Sequence, residues 1–214
     1  MAGGANSEWR VANREGSLPL IATLFLFPPI RYSLLAIHLP HPPLPMAATP
    51  DDLFTFLDRL GIAHRTVSHP PLFTVEQSQA LRGQIPGGHT KNLFLKDKKG
   101  ALYLISALED AEIELKSLHR RLGASGRFSF GSADQLRAAL GIEPGAVTPL
   151  AAMNDTGNLV TVVLDQALMA HKVINCHPLR NTMTTSLARD DLVKFLKATG
   201  HPPRIEAVAE PLMS

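Results

Sequence analysis

The chain has 214 residues, 45% apolar and 19% charged, a balance ordinary for a folded protein and too apolar for a disordered one. Lysine and arginine number 21 against 19 acidic residues, so the net charge of +2 excludes a polybasic chain that binds nucleic acid by bulk charge. The one cysteine, Cys176, excludes an intramolecular disulfide framework and a cysteine-built zinc site, and fits a reducing, cytoplasmic location.

Residues 1–45 differ from the rest: three arginines stand against two glutamates, and prolines crowd the second half. The apolar stretch 18–27 lies behind Arg10 and Arg14, but no small-residue cleavage site follows it and Pro28-Pro29 closes it. It is also too short to span a bilayer. We read 1–45 as a poorly structured extension translated from a start codon assigned too early, and 46–214 as one domain long enough for a substantial core.

Thr49 is placed to N-cap a helix with Pro50 at its first position and Asp51 and Asp52 in its first turn. Leu53, Phe54, Leu57 and Leu60 recur at helical spacing, and Gly61 ends the run. Residues 62–67 read as a strand and 68–71 as a loop. Thr74 and Gln77 form a capping box for a helix reaching Leu81, and 83–89 is a glycine-rich loop. Apolar runs at 92–96 and 101–107 flank Asp97-Lys-Lys-Gly100, the pattern of a hairpin. A helix over 113–122 closes at Gly123.

The second half repeats these devices. A strand over 128–130 precedes a helix opened by a Ser132/Gln135 capping box and ended by Gly141. Runs at 147–153 and 159–164 around Asn154-Asp-Thr-Gly157 predict a second hairpin. Strands are expected at 173–176, 183–187 and 204–208, with an amphipathic helix over 190–199. Interspersed helices and hairpins imply an α+β (mixed α/β) domain with a largely antiparallel mixed sheet flanked by helices.

Lys91 begins the predicted strand 91–95 directly after the glycine-rich loop, so its ammonium would stand at a sheet end beside backbone that a ligand can approach. Residues 145–149, Gly-Ala-Val-Thr-Pro, form a tight element leading into a strand. Residues 175–181, Asn-Cys-His-Pro-Leu-Arg-Asn, put a polar cluster at a strand end, and Pro178 forces His177 into extended geometry. Familiar catalytic motifs are missing: no nucleophile elbow, no phosphate-binding loop and no paired-histidine zinc helix. Cys176 and His177 are neighbours on a strand, so they face opposite sides and are badly placed to share a proton.

Together these segments resemble one family. Residues 69–76, 90–97, 129–132, 140–149, 154–155 and 175–181 match, in order and spacing, the YbaK/ProX-type aminoacyl-tRNA deacylases, which also occur as the editing insertion of bacterial prolyl-tRNA synthetases. The resemblance runs from Met46 to Val208 and is nearest to the freestanding proteins that remove alanine from mischarged tRNA(Pro). It implies three catalytic positions: Lys91 as the essential lysine, Gly145 opening the G-x-x-x-P substrate loop, and His177 bordering the aminoacyl pocket. Asn92, Ala146, Pro149 and Asn175, in the same segments, are the substrate-binding candidates. Cys176, where an aromatic or histidine is expected, and Leu150, where phenylalanine is commoner, depart from the pattern and leave substrate size open.

The implied chemistry is hydrolysis of an activated ester, which needs no cofactor or metal and no covalent nucleophile, only a polarised carbonyl, a held water and donors for the developing oxyanion. The expected partner is mischarged tRNA(Pro), with prolyl-tRNA synthetase as a further candidate; no membrane is involved, and monomer and homodimer both stay open. Lys96, Lys98, Lys99, Arg120 and Arg121, with Lys116 and His119 nearby, form the candidate tRNA-binding cluster. Two alternatives remain: Cys-tRNA(Pro) as the substrate, and a non-catalytic nucleic-acid-binding module.

Overall fold

Thr49 opens the first helix as its sequence predicts. Its hydroxyl accepts the Asp52 N–H while the Asp52 carboxylate accepts the Thr49 N–H, and α1 (Pro50–Arg59) buries Leu53 and Leu57. The computed structural model describes residues 47–70 and 85–209. All of these fall in one compact unit, His41–Ser214. The expected extension over 1–45 and the helix predicted from Thr74 lie outside the described residues.

Eight strands follow in chain order: β1 (His64–Ser68), β2 (Gly88–Lys96), β3 (Leu102–Leu108), β4 (Ser129–Phe130), β5 (Val160–Asp165), β6 (Val173–Cys176), β7 (Met183–Ala188) and β8 (Arg204–Glu206). Interleaved with them are α2 (Leu115–Arg121), α3 (Ala133–Leu140) and α4 (Arg189–Ala198). The sheet runs β1-β7-β6-β2-β3-β5-β8, with β4 added to β2. Four of its seven pairings are antiparallel; β2 with β6, β3 with β5 and β5 with β8 are parallel. The fold is the expected α+β class.

Strand alternation builds a core on each face. Phe94, Leu104 and Val162 point to the side covered by α1, α3 and α4, where Leu140, Leu192 and Phe195 pack. Their neighbours Leu95, Ile105 and Val163 point to the other side, against Leu118 and Leu122 of α2 and its end.

Two predicted elements need correction. The second hairpin, expected from 147–153 and 159–164, does not form. Pro149–Asn154 coil into a 3-10 helix whose first turn is capped by Thr148, and Leu150, Ala151 and Ala152 are buried in succession. Consecutive burial fits a helical turn inside the core and not a half-buried strand; β5 instead lies parallel between β3 and β8. The strand predicted to begin at Lys91 begins at Gly88, because Gly88 and His89 pair with Ile174 and Asn175 of β6. Lys91 therefore sits inside β2, opposite Ala107, and not at its end.

Asp155 and Asp165 hold turns that no periodicity reveals. Asp155 Oδ2 accepts the Val160 N–H at 2.8 Å and meets His201 Nε2 at 3.0 Å, both residues buried. Asp165 Oδ1 accepts the N–H groups of Val208 and Ala209 at 2.9 and 3.2 Å, which ends β8.

Candidate functional site

Strand β2 is paired along only part of one edge. Gly88 and His89 meet β6, Leu95 and Lys96 meet β4, and among the described residues those between have no partner strand on that side. Phe94 O accepts the Gly131 N–H from this edge at 2.9 Å, so by the two-residue period the backbone groups of Asn92 face the same way. Three of the matching segments meet at this notch, through Asn92, Gly131 and Val147.

Asn92 reaches across it. Its Nδ2 donates to Val147 O at 2.9 Å, which ties β2 to the 145–149 loop, and its Oδ1 accepts the Ser106 hydroxyl at 2.7 Å. Gly145 has φ +91°, a left-handed conformation that favours glycine, and a Cβ built there would point toward Asn181 Nδ2, 3.7 Å away. Ala146 is buried, and its N–H is committed to Glu143 O at 3.0 Å. Pro149 opens the 3-10 helix and is buried.

The turn after β6 forms the facing wall. Leu179 takes φ +66°, a costly conformation for a branched side chain. Pro144, Ala146, Leu179, Arg180 and Asn181 line a cleft of about 450 Å³ beside the start of α1. A larger open groove of about 680 Å³ runs between α4 and β8, past Val193, Lys197 and Ile205, but holds none of the matching residues. The smaller cleft is therefore the candidate site.

His177 stands at the head of that turn. Its Nδ1 lies 3.1 Å from Met183 O; a carbonyl only accepts, so Nδ1 carries the proton and Nε2 presents a lone pair. Burial holds its pKa below the ordinary histidine value; the Met183 bond pulls the other way, and nearby His69 and His89 add to the depression. This depression makes stability pH-dependent. The unfolded chain takes up a proton below about pH 6.5 that the folded chain still refuses, so stability is lost as pH falls from there toward the lower folded pKa. Urea unfolding of His177→Gln at pH 7.5 and pH 5.5 should lose less stability between the two than the wild type does. Equal losses would remove His177 from the acid limb.

Lys91 and Asn92, as strand neighbours, point to opposite faces. The Lys91 ammonium donates to Ala111 O, on the side that His89 shares, while the 145–149 loop hangs on the Asn92 side. The structure thus ties Asn92 to the 145–149 loop and sets Gly145 against Asn181, while the Lys91 ammonium leaves β2 on the other face, which it shares with His89, a neighbour of His177. Asn175 is buried and fully engaged: its Oδ1 accepts the Ser186 hydroxyl at 2.6 Å, its Nδ2 donates to Pro86 O at 3.3 Å, and its carbonyl accepts the Thr90 hydroxyl at 2.9 Å. Cys176 lies in the core, and burial pushes its thiol up to about 12, the Thr90 contact pulling only slightly back, so it offers neither a nucleophile nor a cleft wall.

The basic candidates collect elsewhere. Lys96 ends β2, Lys98 and Lys99 form its turn to β3, and Arg120 and Arg121 end α2. Asp97 joins these parts by accepting the N–H groups of Lys99, Ala101 and Ser125, each at 2.9 Å. At roughly 3.3 Å per strand residue, Lys96 is about 17 Å from Lys91. The Arg121 guanidinium reaches Ala209 O at 3.4 Å. Among the described residues no group of three or more His, Cys, Asp or Glu side chains is placed to hold a metal ion. None of their helices is long and apolar enough to cross a membrane.

Sequence reading passed over Ser106, Thr90 and His89. The signal for Ser106 was present as a lone hydroxyl inside the apolar run Leu-Tyr-Leu-Ile-Ser-Ala-Leu of β3.

A family profile described as aminoacyl-tRNA editing domain matches residues 69–195. The chain is 40% identical over 156 residues to a Danio rerio protein named prolyl-tRNA synthetase associated domain-containing protein 1, covering 72% of this chain and 84% of that one. It is 36% identical over 146 residues to the prolyl-tRNA editing protein ProX of Acetoanaerobium sticklandii, covering 68% of this chain and 88% of that one. A crystal structure offered as a candidate trans-editing enzyme for prolyl tRNA synthetase superposes with a TM-score of 0.58 over 77% of this chain and 99% of that chain. At 17% identity that likeness is one of fold.

Proposed function

The chain belongs to the aminoacyl-tRNA editing domain family, and on that premise we propose that it is a trans-editing deacylase that hydrolyses the ester of mischarged tRNA(Pro), with alanine as the aminoacyl group. The observation that carries this reading is the left-handed Gly145 set against Asn181 beside a small cleft, with the oriented His177 at the head of the same turn. A water oxygen attacks the ester carbonyl, the acyl–oxygen bond breaks, and free amino acid and tRNA leave.

Negative charge develops on the carbonyl oxygen, and backbone amides are suited to meet it. The Ala146 N–H is occupied by Glu143 O, so the Gly145 N–H is the donor this reading uses. The Nε2 lone pair of His177 suits it to hold the attacking water or the substrate amino group. Lys91, on the face of β2 that carries His89, a neighbour of His177, is suited to hold the terminal adenosine phosphate or the aminoacyl carbonyl. Lys96, Lys98, Lys99, Arg120 and Arg121 would meet phosphates farther along the RNA, and Pro149 and Asn175 serve by stiffening the walls.

A missing methylene is discriminated by only about 1–3 kcal/mol, whereas a stiff wall excludes a bulkier group outright. The buried Ala146 and the constrained Leu179 make such walls. Single-turnover assays on tRNA(Pro) charged with alanine, cysteine, serine or proline test the reading. Alanine should be released fastest, serine more slowly, and proline spared. A cysteine rate about tenfold above the alanine rate would overturn the alanine assignment. No release from any of the four would leave a nucleic-acid-binding module in place of an enzyme.

A further inference from the structure

Resting on the deacylase reading, we infer that Ser106 is a positioning residue for the 145–149 loop, acting through Asn92. Ser106 stands directly opposite Asn92 in the β2–β3 register and is fully buried. The orientation of the Asn92 amide follows from its partners. Val147 O can only accept, so the NH₂ end faces the loop; the oxygen end then faces Ser106, whose hydroxyl must donate to it. The Ser106 proton thereby keeps the amide from turning over, and a turned amide would set oxygen against oxygen at Val147.

Val147 is the middle residue of the loop, two positions from Gly145 and two from Pro149. The loop's other bonds are local: Ala146 N–H to Glu143 O, and Leu150 N–H to Thr148 Oγ1. Asn92 supplies the tie to β2, and the tie fixes where the Gly145 amide points. Asn92 Nδ2 also lies 3.4 Å from Thr90 Oγ1, a long contact within β2 that makes no tie to the loop. The three groups form a short, partly buried relay from the buried Ser106 at the centre of the sheet to the loop that must meet the oxyanion. Such relays hold when every member is satisfied and fail as a unit when one is removed.

The test compares Ser106→Ala, Ser106→Thr and Asn92→Asp. Asn92→Asp keeps the acceptor for Ser106 but presents oxygen to Val147 O. For Ser106→Ala and Asn92→Asp, kcat on Ala-tRNA(Pro) should fall tenfold or more, with KM within about threefold and a reduced preference for alanine over serine. Ser106→Thr, which keeps the hydroxyl, should recover most of kcat. Hydrogen exchange of the amides of residues 145–148 should speed up in Ser106→Ala and Asn92→Asp alone. A folded Ser106→Ala with wild-type kcat and selectivity would overturn the inference while leaving the deacylase reading intact. An inactive wild type would overturn both. Unchanged loop exchange in Ser106→Ala would overturn the relay even if activity fell.

Discussion

Lys91→Ala should lower kcat/KM for Ala-tRNA(Pro) by a hundredfold or more while the protein remains folded. The side chain leaves β2 on the face where Ala107 stands opposite and donates to Ala111 O, an acceptor that water can satisfy in its absence. The strand keeps its neighbours on both sides, since β3 pairs along its length and β6 meets its start. The cost therefore falls on substrate charge. Losing one preorganised donor to a charged group in the reacting complex costs about 2.7–4 kcal/mol, a hundredfold to nearly a thousandfold. Steady-state and single-turnover kinetics, with circular dichroism as the fold control, measure it. Near-wild-type turnover in a folded variant would remove Lys91 from the mechanism.

Asp155→Ala should be the most destabilising single change among the polar residues described. Its carboxylate accepts the Val160 N–H at the start of β5 and meets His201, whose other ring nitrogen lies 2.9 Å from Thr199 O. One side chain thus joins the turn before β5 to the loop after α4, and both ring and carboxylate are almost wholly shielded from water. Removing one partner of a buried pair leaves the other uncompensated and costs about 3–5 kcal/mol. For a domain of this size that is a fall in Tm of roughly 10 °C. The Asp155→Ala/His201→Leu double variant should lose less than the single one, because no orphaned ring remains. A Tm drop of only a degree or two in Asp155→Ala would show that the pair contributes little.

The first prediction bears on function and the second on the frame that holds it, and they drew on different information. Lys91 was legible in the sequence because a lysine beside a glycine-rich loop, within the motif series, is a local pattern. Asp155 stood in a predicted turn, but nothing local marks His201 as its partner 46 residues later.

The boundaries of α1 and α3 were determined by the sequence alone. Thr49, Ser132, Gly61 and Gly141 set starts and stops through bonds to residues three or four positions away, which need no tertiary partner. The strands β6 and β7 were equally legible as short runs with β-branched residues. Tertiary structure decided the rest. Residues 149–154 had strand-like composition but became a 3-10 helix because the space between α3, α4 and the sheet buries Pro149, Leu150, Ala151 and Ala152 in succession. Gly88 and His89 joined β2 because β6 lay alongside to take their hydrogen bonds. Lys91 and Asn92, adjacent in sequence, were parted onto two faces by the pleat, while Asn92, Val147 and Ser106, far apart in sequence, were brought into one relay. Short-range bonds can be read from neighbours along the chain, but which buried donor finds which acceptor is fixed only when the sheet order brings distant strands together.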